Sequence, residues 1–175
     1  MKQVLSAFLV LWFLISVSHA YDVARRQPPP PPPRKLMEGA AVPSREERQK
    51  ARRLYQLARQ ENRQLRWDEC LAGQAFKRAK YIVYQMDKHL GDERFFAHTD
   101  PRSEGNPAWS YVYTCYKGRE RCAGENLAQG DNTAEITHRN LMNSPTHREN
   151  IKNIEYNRVG IACYNYICVE LFAGV

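Results

Sequence analysis

The chain has 175 residues, 43% of them hydrophobic, which is enough for one domain with a buried core. Its net charge of +7 is uneven, because residues 21–66 hold 12 Lys/Arg against 5 Asp/Glu whereas residues 67–175 hold 13 against 14. After the first 20 residues no segment is apolar enough to span a bilayer, so we expect a soluble mature protein.

Residues 1–20 have the pattern of a secretory signal peptide. Lys2 precedes an apolar run over residues 4–17, and the segment ends in Ser18-His19-Ala20. The run is short for a membrane span, and a buried N-terminal helix is the alternative interpretation. We therefore expect cleavage after Ala20, a secreted extracellular protein, and no nucleic-acid partner.

Residues 21–43 are predicted to form a proline-rich basic linker. They contain the six prolines Pro28–Pro33, flanked by Arg25-Arg26 and Arg34-Lys35. Polyproline II rises roughly 3.1 Å per residue, so this run would span about 19 Å. The linker would hold a domain over residues 44–175 away from an anionic wall polymer or lipid surface, or it is simply a solvated arm.

The domain is predicted to begin with two helices. Ser44 and Glu47 form a capping-box pattern, and Leu54, Leu57, Ala58 and Leu65 follow along one side. A second helix is expected from the N-cap candidate Asp68, with an apolar stripe at three- and four-residue spacing: Leu71, Ala72, Ala75, Ala79, Ile82, Val83 and Met86.

The rest of the domain is predicted to be loops, two short helices and a hairpin. Residues 91–130 lack a regular period and are expected to be loop-rich. A third helix should cover Ala134–Met142, with Asp131, Asn132 or Thr133 as its cap. Pro145 suits the first position of a fourth helix, capped by Asn143 or Ser144, which places His147 in the first turn. Residues 158–173 read as two strands buried on both faces around a turn at Asn165-Tyr166.

All five cysteines lie beyond the predicted signal peptide, so disulfides are expected. The short-range pairs Cys115–Cys122 and Cys163–Cys168 are the candidates, the second as a non-hydrogen-bonded cross-strand pair. Cys70 is then left over, either as a small buried side chain or as a reactive or intermolecular thiol. No tight Cys-x-x-Cys pair favours a cysteine zinc site.

Three polar clusters are the candidates for function. They are Phe95–Pro101 with His98, Gly124–Ala128 with Glu125, and Asn143–Asn150 with His147. Two imidazoles and a carboxylate could bind a metal, transfer a proton or form a buried polar network. Only a fold that brings distant segments together would unite them.

These clusters, with their order and spacing, resemble the CAP superfamily, also called SCP-domain proteins, in its bacterial-type branch. The resemblance covers about residues 46–174. It rests on Leu65–Ala72, Phe96–Pro101, Gly124–Ala128, Asn143–Arg148, Val159–Ala162 and Val169–Ala173.

The resemblance implies an α+β fold, a three-layer α-β-α sandwich with a central antiparallel sheet. It also implies a cleft where His98, Glu125 and His147 converge, with the two histidines able to take zinc. Many members add a second glutamate, but here Ser144 stands at that position, and Leu141 replaces the family's tryptophan. Glu135, earlier on the same helix, is the remaining candidate for that role.

Three functions are compatible with such a cleft. The favoured one is a non-catalytic, monomeric binding module for a divalent metal, a lipid or a wall-associated ligand, with no required cofactor but a place for Zn. The second is a hydrolase in which Glu125, or zinc on the histidines, activates water. The third is a purely structural network. No convincing nucleophile accompanies the histidines, since Ser144 and Thr146 occupy the start of a predicted helix.

Overall fold

The computed structural model describes residues 42–98, 110–130 and 132–175. Its helices are α1 (Arg45–Glu61), α2 (Glu69–Lys88), α3 (Ser110–Tyr116), α4 (Ala134–Asn143) and α5 (Pro145–Lys152), with a 3₁₀ turn at Glu93–Phe95. Its strands are β1 (Arg66–Trp67), β2 (Cys122–Gln129), β3 (Arg158–Tyr164) and β4 (Ile167–Gly174). The predicted signal peptide and almost all of the predicted linker lie outside the described residues.

The helix starts follow the predicted capping chemistry. Ser44 Oγ accepts from the amide of Glu47 at 3.1 Å, and Glu47 Oε2 accepts from the amide of Ser44 at 2.7 Å, which completes the capping box. Asp68 Oδ1 caps α2 by accepting from Leu71 N at 2.9 Å. Thr133 caps α4, whereas Ser144 is the N-cap residue of α5 but its side chain makes no capping hydrogen bond. Helix α1 ends at Glu61, so Leu65 lies in the connection and not on the helix.

One four-stranded sheet lies between two helical layers, which confirms the three-layer α+β fold. The strand order is β1-β3-β4-β2, with β1 parallel to β3 and the other neighbours antiparallel. Side chains alternate across β4, so Val169 and Leu171 pack against α2 while Phe172 packs with Leu54 of α1. The central hairpin is therefore buried on both faces, as its apolar composition predicted.

The β3–β4 hairpin turns at Asn165-Tyr166, with Tyr164 opposite Ile167. Asn165 takes a left-handed conformation (φ +49°), which asparagine tolerates well. Cys163 and Cys168 lie opposite each other with their Cα atoms 4.0 Å apart and form the predicted disulfide.

The predicted Cys115–Cys122 disulfide is wrong. Helix α3 packs beside the first turn of α2, so Cys115 bonds to Cys70 with their Cα atoms 5.8 Å apart. Cys122 instead begins β2, where its pairing with Gly174 holds it against β4, and it is the free cysteine. Cys70 is therefore neither a buried apolar residue nor a free thiol.

The prediction that residues 91–130 are loop-rich is also wrong in part. Strand β2 runs through this region and forms an edge of the sheet, paired with β4 from Cys122 to Gln129. Its sequence, Cys-Ala-Gly-Glu-Asn-Leu-Ala-Gln, has too few β-branched residues for a strand signal. The long pairing with the apolar strand β4 overrides that weak local preference.

Replacing Gly160 with alanine should severely destabilise the fold. A Cβ atom there would lie 2.1 Å from the amide nitrogen of Ala72 and 2.2 Å from the carbonyl carbon of Leu71, so the start of α2 would have to move off β3. We expect Gly160→Ala to lower the free energy of unfolding by about 3 kcal/mol, measured by urea denaturation.

Gly73 provides the matched control, because it lies on the same helix and a Cβ atom there would meet nothing within 4 Å. Gly73→Ala should raise stability by up to about 1 kcal/mol through helix propensity. Equal stability of the two variants would contradict close packing of α2 on β3.

Candidate functional site

The three predicted site residues come together at the outer edge of β2. Glu125 lies on that strand, His98 follows the 3₁₀ turn after α2, and His147 lies in the first turn of α5. His98 Nδ1 is 3.0 Å from Glu125 Oε1, and the rings of His98 and His147 have centroids 6.4 Å apart. Each helical layer thus contributes one imidazole, and the strand between them contributes the carboxylate.

Glu125 is buried and bonded through both carboxylate oxygens. Its side chain is 1% exposed, and Oε2 accepts from Nε of Arg78, whose own side chain is 2% exposed, at 3.3 Å. The Arg78 guanidinium also donates to the carbonyl of Ala97, next to His98. Arg78 therefore neutralises Glu125 and fixes the backbone that carries His98.

His98 has one nitrogen engaged and an exposed ring. Because a carboxylate can only accept, Nδ1 carries the proton in its hydrogen bond with Glu125. In the neutral ring Nε2 then keeps its lone pair, and the side chain is 52% exposed. The carboxylate thus fixes the tautomer that leaves a free nitrogen ligand.

His147 is half-buried and held through its backbone. Its carbonyl accepts from Nδ2 of Asn126 at 3.1 Å. Burial, and to a lesser degree the neighbouring His98, lowers the pKa of His147 below its usual value. The lowered pKa favours the neutral ring, the state in which an imidazole binds metal ions.

A second polar network lies on the opposite face of β2. Asn126 Nδ2 donates to Oε2 of Glu170 at 3.0 Å, and Asn126 Oδ1 accepts from Nδ2 of Asn150 at 2.9 Å. Asn150 also donates to the carbonyl of Glu125 at 3.3 Å. This network links β2, β4 and α5, so it sets the position of His147 relative to Glu125.

Gly124 is required for the close approach of α5 and the segment that follows it. A Cβ atom at this position would lie 2.6 Å from the hydroxyl of Tyr156 and 3.1 Å from Oδ1 of Asn150. The Tyr156 hydroxyl occupies that space and donates to the carbonyl of Ala123 at 3.0 Å. Gly-Glu-Asn is therefore a strand segment contacted on both faces, and not part of a loop as predicted for residues 91–130.

Glu135 does not complete the site. It forms an exposed ion pair with Arg53 of α1, with Nε to Oε1 at 2.7 Å. Ser144 is the N-cap residue of α5, and Leu141 is buried in the core between α1 and the sheet. Within the described ranges, no group of three or more His, Cys, Asp or Glu side chains is arranged to hold a metal ion.

Sequence reasoning missed Arg78 and Glu170. Arg78 lies within the apolar stripe of α2, between Ala75 and Ile82 at helical spacing, and a charge in that position is the available signal. Glu170 is the one charge in the apolar strand β4, and a carboxylate in a strand buried on both faces is likewise unusual.

Arg78→Met should leave a buried carboxylate without its countercharge. We expect a loss of about 3–5 kcal/mol in the free energy of unfolding at pH 7, measured by urea denaturation. The double variant Arg78→Met/Glu125→Gln should lose less than the sum of the two single variants. Arg53→Met, which breaks the exposed pair with Glu135, is the control and should cost about 1 kcal/mol or less.

Glu170 should make stability fall as the pH rises. Burial raises its pKa from 4.5 to about 7, and the hydrogen bond from Asn126 opposes the shift only in part. Between these values the native state holds a proton that the unfolded state has released, so the free energy of unfolding decreases by up to about 1.4 kcal/mol per pH unit.

Glu170→Gln should remove this part of the pH dependence, measured as urea midpoints from pH 5 to 8. Glu149→Gln, at an exposed position of α5, is the control and should keep the wild-type slope. A Glu170→Gln protein with the wild-type slope would show that Glu170 does not titrate in this range.

Comparisons with known proteins identify the family and the fold of the chain. A model of the cysteine-rich secretory protein family, CAP, matches residues 46–168. No curated protein sequence matches the chain. None of the helices in the described residues is sufficiently long and apolar to cross a membrane.

Solved structures share the fold. An extracellular SCP-domain protein from Bacillus anthracis is 21% identical with a TM-score of 0.60, and covers 74% of this chain and 41% of its own. A cysteine-rich secretory protein from Staphylococcus aureus is 14% identical with a TM-score of 0.54, and the match covers 76% of this chain and 41% of the Staphylococcus protein. An outer surface protein from Borrelia burgdorferi is 20% identical with a TM-score of 0.52, and the match covers 75% of this chain and 95% of the Borrelia protein.

The chain thus spans less than half the length of the first two of these proteins. All three have low sequence identity, so they support the fold alone. The family match covers most of the chain, and its residues include Glu125 and both cleft histidines. The chain belongs to the cysteine-rich secretory protein (CAP) family.

Proposed function

We propose that this is a secreted binding module whose cleft takes a divalent metal ion, zinc by preference, on His98 and His147. The hydrogen bond between His98 Nδ1 and Glu125 Oε1 is the observation that carries the proposal. Histidines that bind metals commonly donate their other ring N–H to a carboxylate, which orients the ring and strengthens the ligand.

The donor set fits a borderline-soft ion such as Zn²⁺. Two neutral imidazoles would hold it, and water or an exogenous ligand would complete the coordination. Such a metal would supply an electrophilic centre for an anionic group of a lipid or wall-associated ligand. The exposure of His98 leaves the site open to such a group.

Hydrolysis fits the geometry less well. A general base needs an oxygen free to accept a proton from water. Oε1 of Glu125 is bonded to His98, and Oε2 is bonded to the buried Arg78. Proton transfer to Glu125 would break a buried bond, which favours a positioning role for this carboxylate.

Export is part of the same proposal. The Bacillus and Borrelia structures are described as extracellular and outer-surface proteins, and two disulfides are present in the described residues. Disulfides persist in oxidising compartments. We expect the protein to act outside the cytoplasm as a monomer, and its proline-rich arm to keep the domain at a distance from its attachment surface.

Zinc titration by calorimetry tests the metal site. Wild-type protein should bind with measurable heat, and His98→Ala and His147→Ala should each abolish it. Glu125→Gln should weaken zinc binding by about 10- to 100-fold, because the imidazole loses its orienting carboxylate.

His89→Ala is the matched control, since this exposed histidine stacks on Phe95 at the end of α2 and contributes no ligand to the cleft. It should bind zinc as the wild type does. Absence of heat in wild type and variants alike would rule out the zinc site. A Glu125→Gln protein with full activity on a peptide or glycan panel would exclude a general-base role.

A further inference from the structure

A row of cationic side chains follows one exposed face of helix α1. Arg45, Arg48, Arg52 and Arg59 are spaced by three, four and seven residues, and Tyr55 fills the remaining position of the same row. Side chains at this spacing share one face of a helix. All four arginines are exposed. The row, called the arginine stripe below, extends over about 21 Å at a rise of about 1.5 Å per residue.

The arginine stripe is poorly neutralised. Arg52 pairs with Glu69 at 2.8 Å, but within the described residues Arg45, Arg48 and Arg59 form no ion pair with a carboxylate. Like charges at three- and four-residue spacing destabilise a helix. The stripe therefore opposes the stability of α1, and its exposed guanidinium groups are available to an anionic partner.

A groove runs beside the stripe, at the edge of the sheet opposite to the His98 cleft. It has a volume of about 470 Å³ and lies between α1 and α2, with Arg48 and Arg52 from one helix and the exposed Lys77 from the other. Its apolar lining includes Ala51, Trp67, Ala72, Phe76 and Ile161. The groove thus combines cationic walls with an apolar lining.

The two carboxylates of the groove are already engaged. Glu47 accepts from backbone amides through both oxygens, from Ser44 N at 2.7 Å and from Asn165 N at 2.8 Å. Glu69 accepts from Arg52. Because four Lys/Arg side chains line the groove against these two carboxylates, its walls carry a net positive charge.

We propose that the arginine stripe and its groove bind an acidic polysaccharide of the uronic-acid type. A guanidinium group binds a carboxylate through two parallel hydrogen bonds, so arginines repeated along a helix can meet successive carboxylates of an extended chain. The apolar lining accommodates the C–H faces of the sugar rings. Arg52 is already oriented for this role, because its guanidinium lies 3.8 Å over the ring of Trp67.

The length of the stripe favours a polymer over a small anion. A small anion would fit the groove, but Arg45 and Arg59 lie outside the lining and would not contact it. A membrane surface would need exposed large apolar side chains beside the cations. Of the three such side chains among the described residues, Val42 lies at the groove, whereas Leu90 and Ile154 follow the ends of α2 and α5.

Binding to immobilised alginate, a polymer of uronic acids, tests the proposal on the chain from Tyr21 to Val175. We expect the wild type to bind, with an affinity that falls as the salt concentration rises. Arg45→Gln/Arg48→Gln/Arg59→Gln, which removes three exposed charges of the stripe, should lower the affinity by about tenfold or more. Neutral dextran should bind neither protein.

Lys88→Gln/Arg94→Gln/Arg119→Gln is the matched control, because it removes the same charge from exposed positions on other elements. It should lower the affinity by less than about threefold, through the weaker field of the whole protein alone. Arg25→Gln/Arg26→Gln, in the predicted linker, should have an effect as small as that of this control. Unchanged thermal midpoints show that each variant is folded.

No binding of the wild type to alginate at low salt, or an equal loss in the stripe variant and the matched control, would overturn the proposal. So would a loss confined to the linker variant. Stronger binding to phosphatidylglycerol vesicles than to alginate, abolished in the stripe variant, would assign the stripe to a membrane surface instead. Stronger binding to polyglutamate would assign it to an acidic protein.

Discussion

The buried ion pair between Arg78 and Glu125 is the interaction on which the cleft depends. Both side chains are almost fully buried, so each charge is stable there only because the other is present. Arg78 belongs to α2 and Glu125 to β2, and the same guanidinium holds the carbonyl of Ala97. One arginine therefore joins a helix, the sheet edge and the segment that ends at His98.

The layered architecture explains why the histidines can meet. Side chains alternate between the two faces of β2, so Glu125 points towards α2 and Asn126 points towards α5. Two neighbouring residues of one strand therefore contact both helical layers. The outer edge of β2 is where the two layers approach each other without a strand between them. A site assembled at a sheet edge in this way is open to solvent on one side and rigid on the other.

Much of this structure could be predicted from the sequence. The capping box at Ser44, the cap at Asp68 and the β3–β4 hairpin depend on neighbouring residues, and each is confirmed. His98, Glu125 and His147 could be grouped because their motifs resemble those of a known family. Contact between them follows from the fold, and the metal assigned to them stays a prediction.

The errors have a common physical origin in tertiary contacts. Strand β2 forms because β4 offers it a complete pairing partner, which its own composition does not reveal. Cys70 and Cys115 are 45 residues apart in sequence, and only the packing of α3 on α2 brings them together. Arg78 interrupts the apolar stripe of α2, but its partner Glu125 is 47 residues away in sequence. Local rules cannot detect such long-range partners.

The free cysteine bears on how the disulfides survive after folding. Cys122 is seven residues from Cys115 in sequence, and a free thiolate can exchange with any disulfide that it reaches. Burial, reinforced by the nearby Glu155, raises the pKa of Cys122 above its usual value. The thiol thus stays protonated at neutral pH, and only the thiolate carries out exchange. Raising this pKa lowers the thiolate fraction of Cys122 and so slows any exchange with the two disulfides.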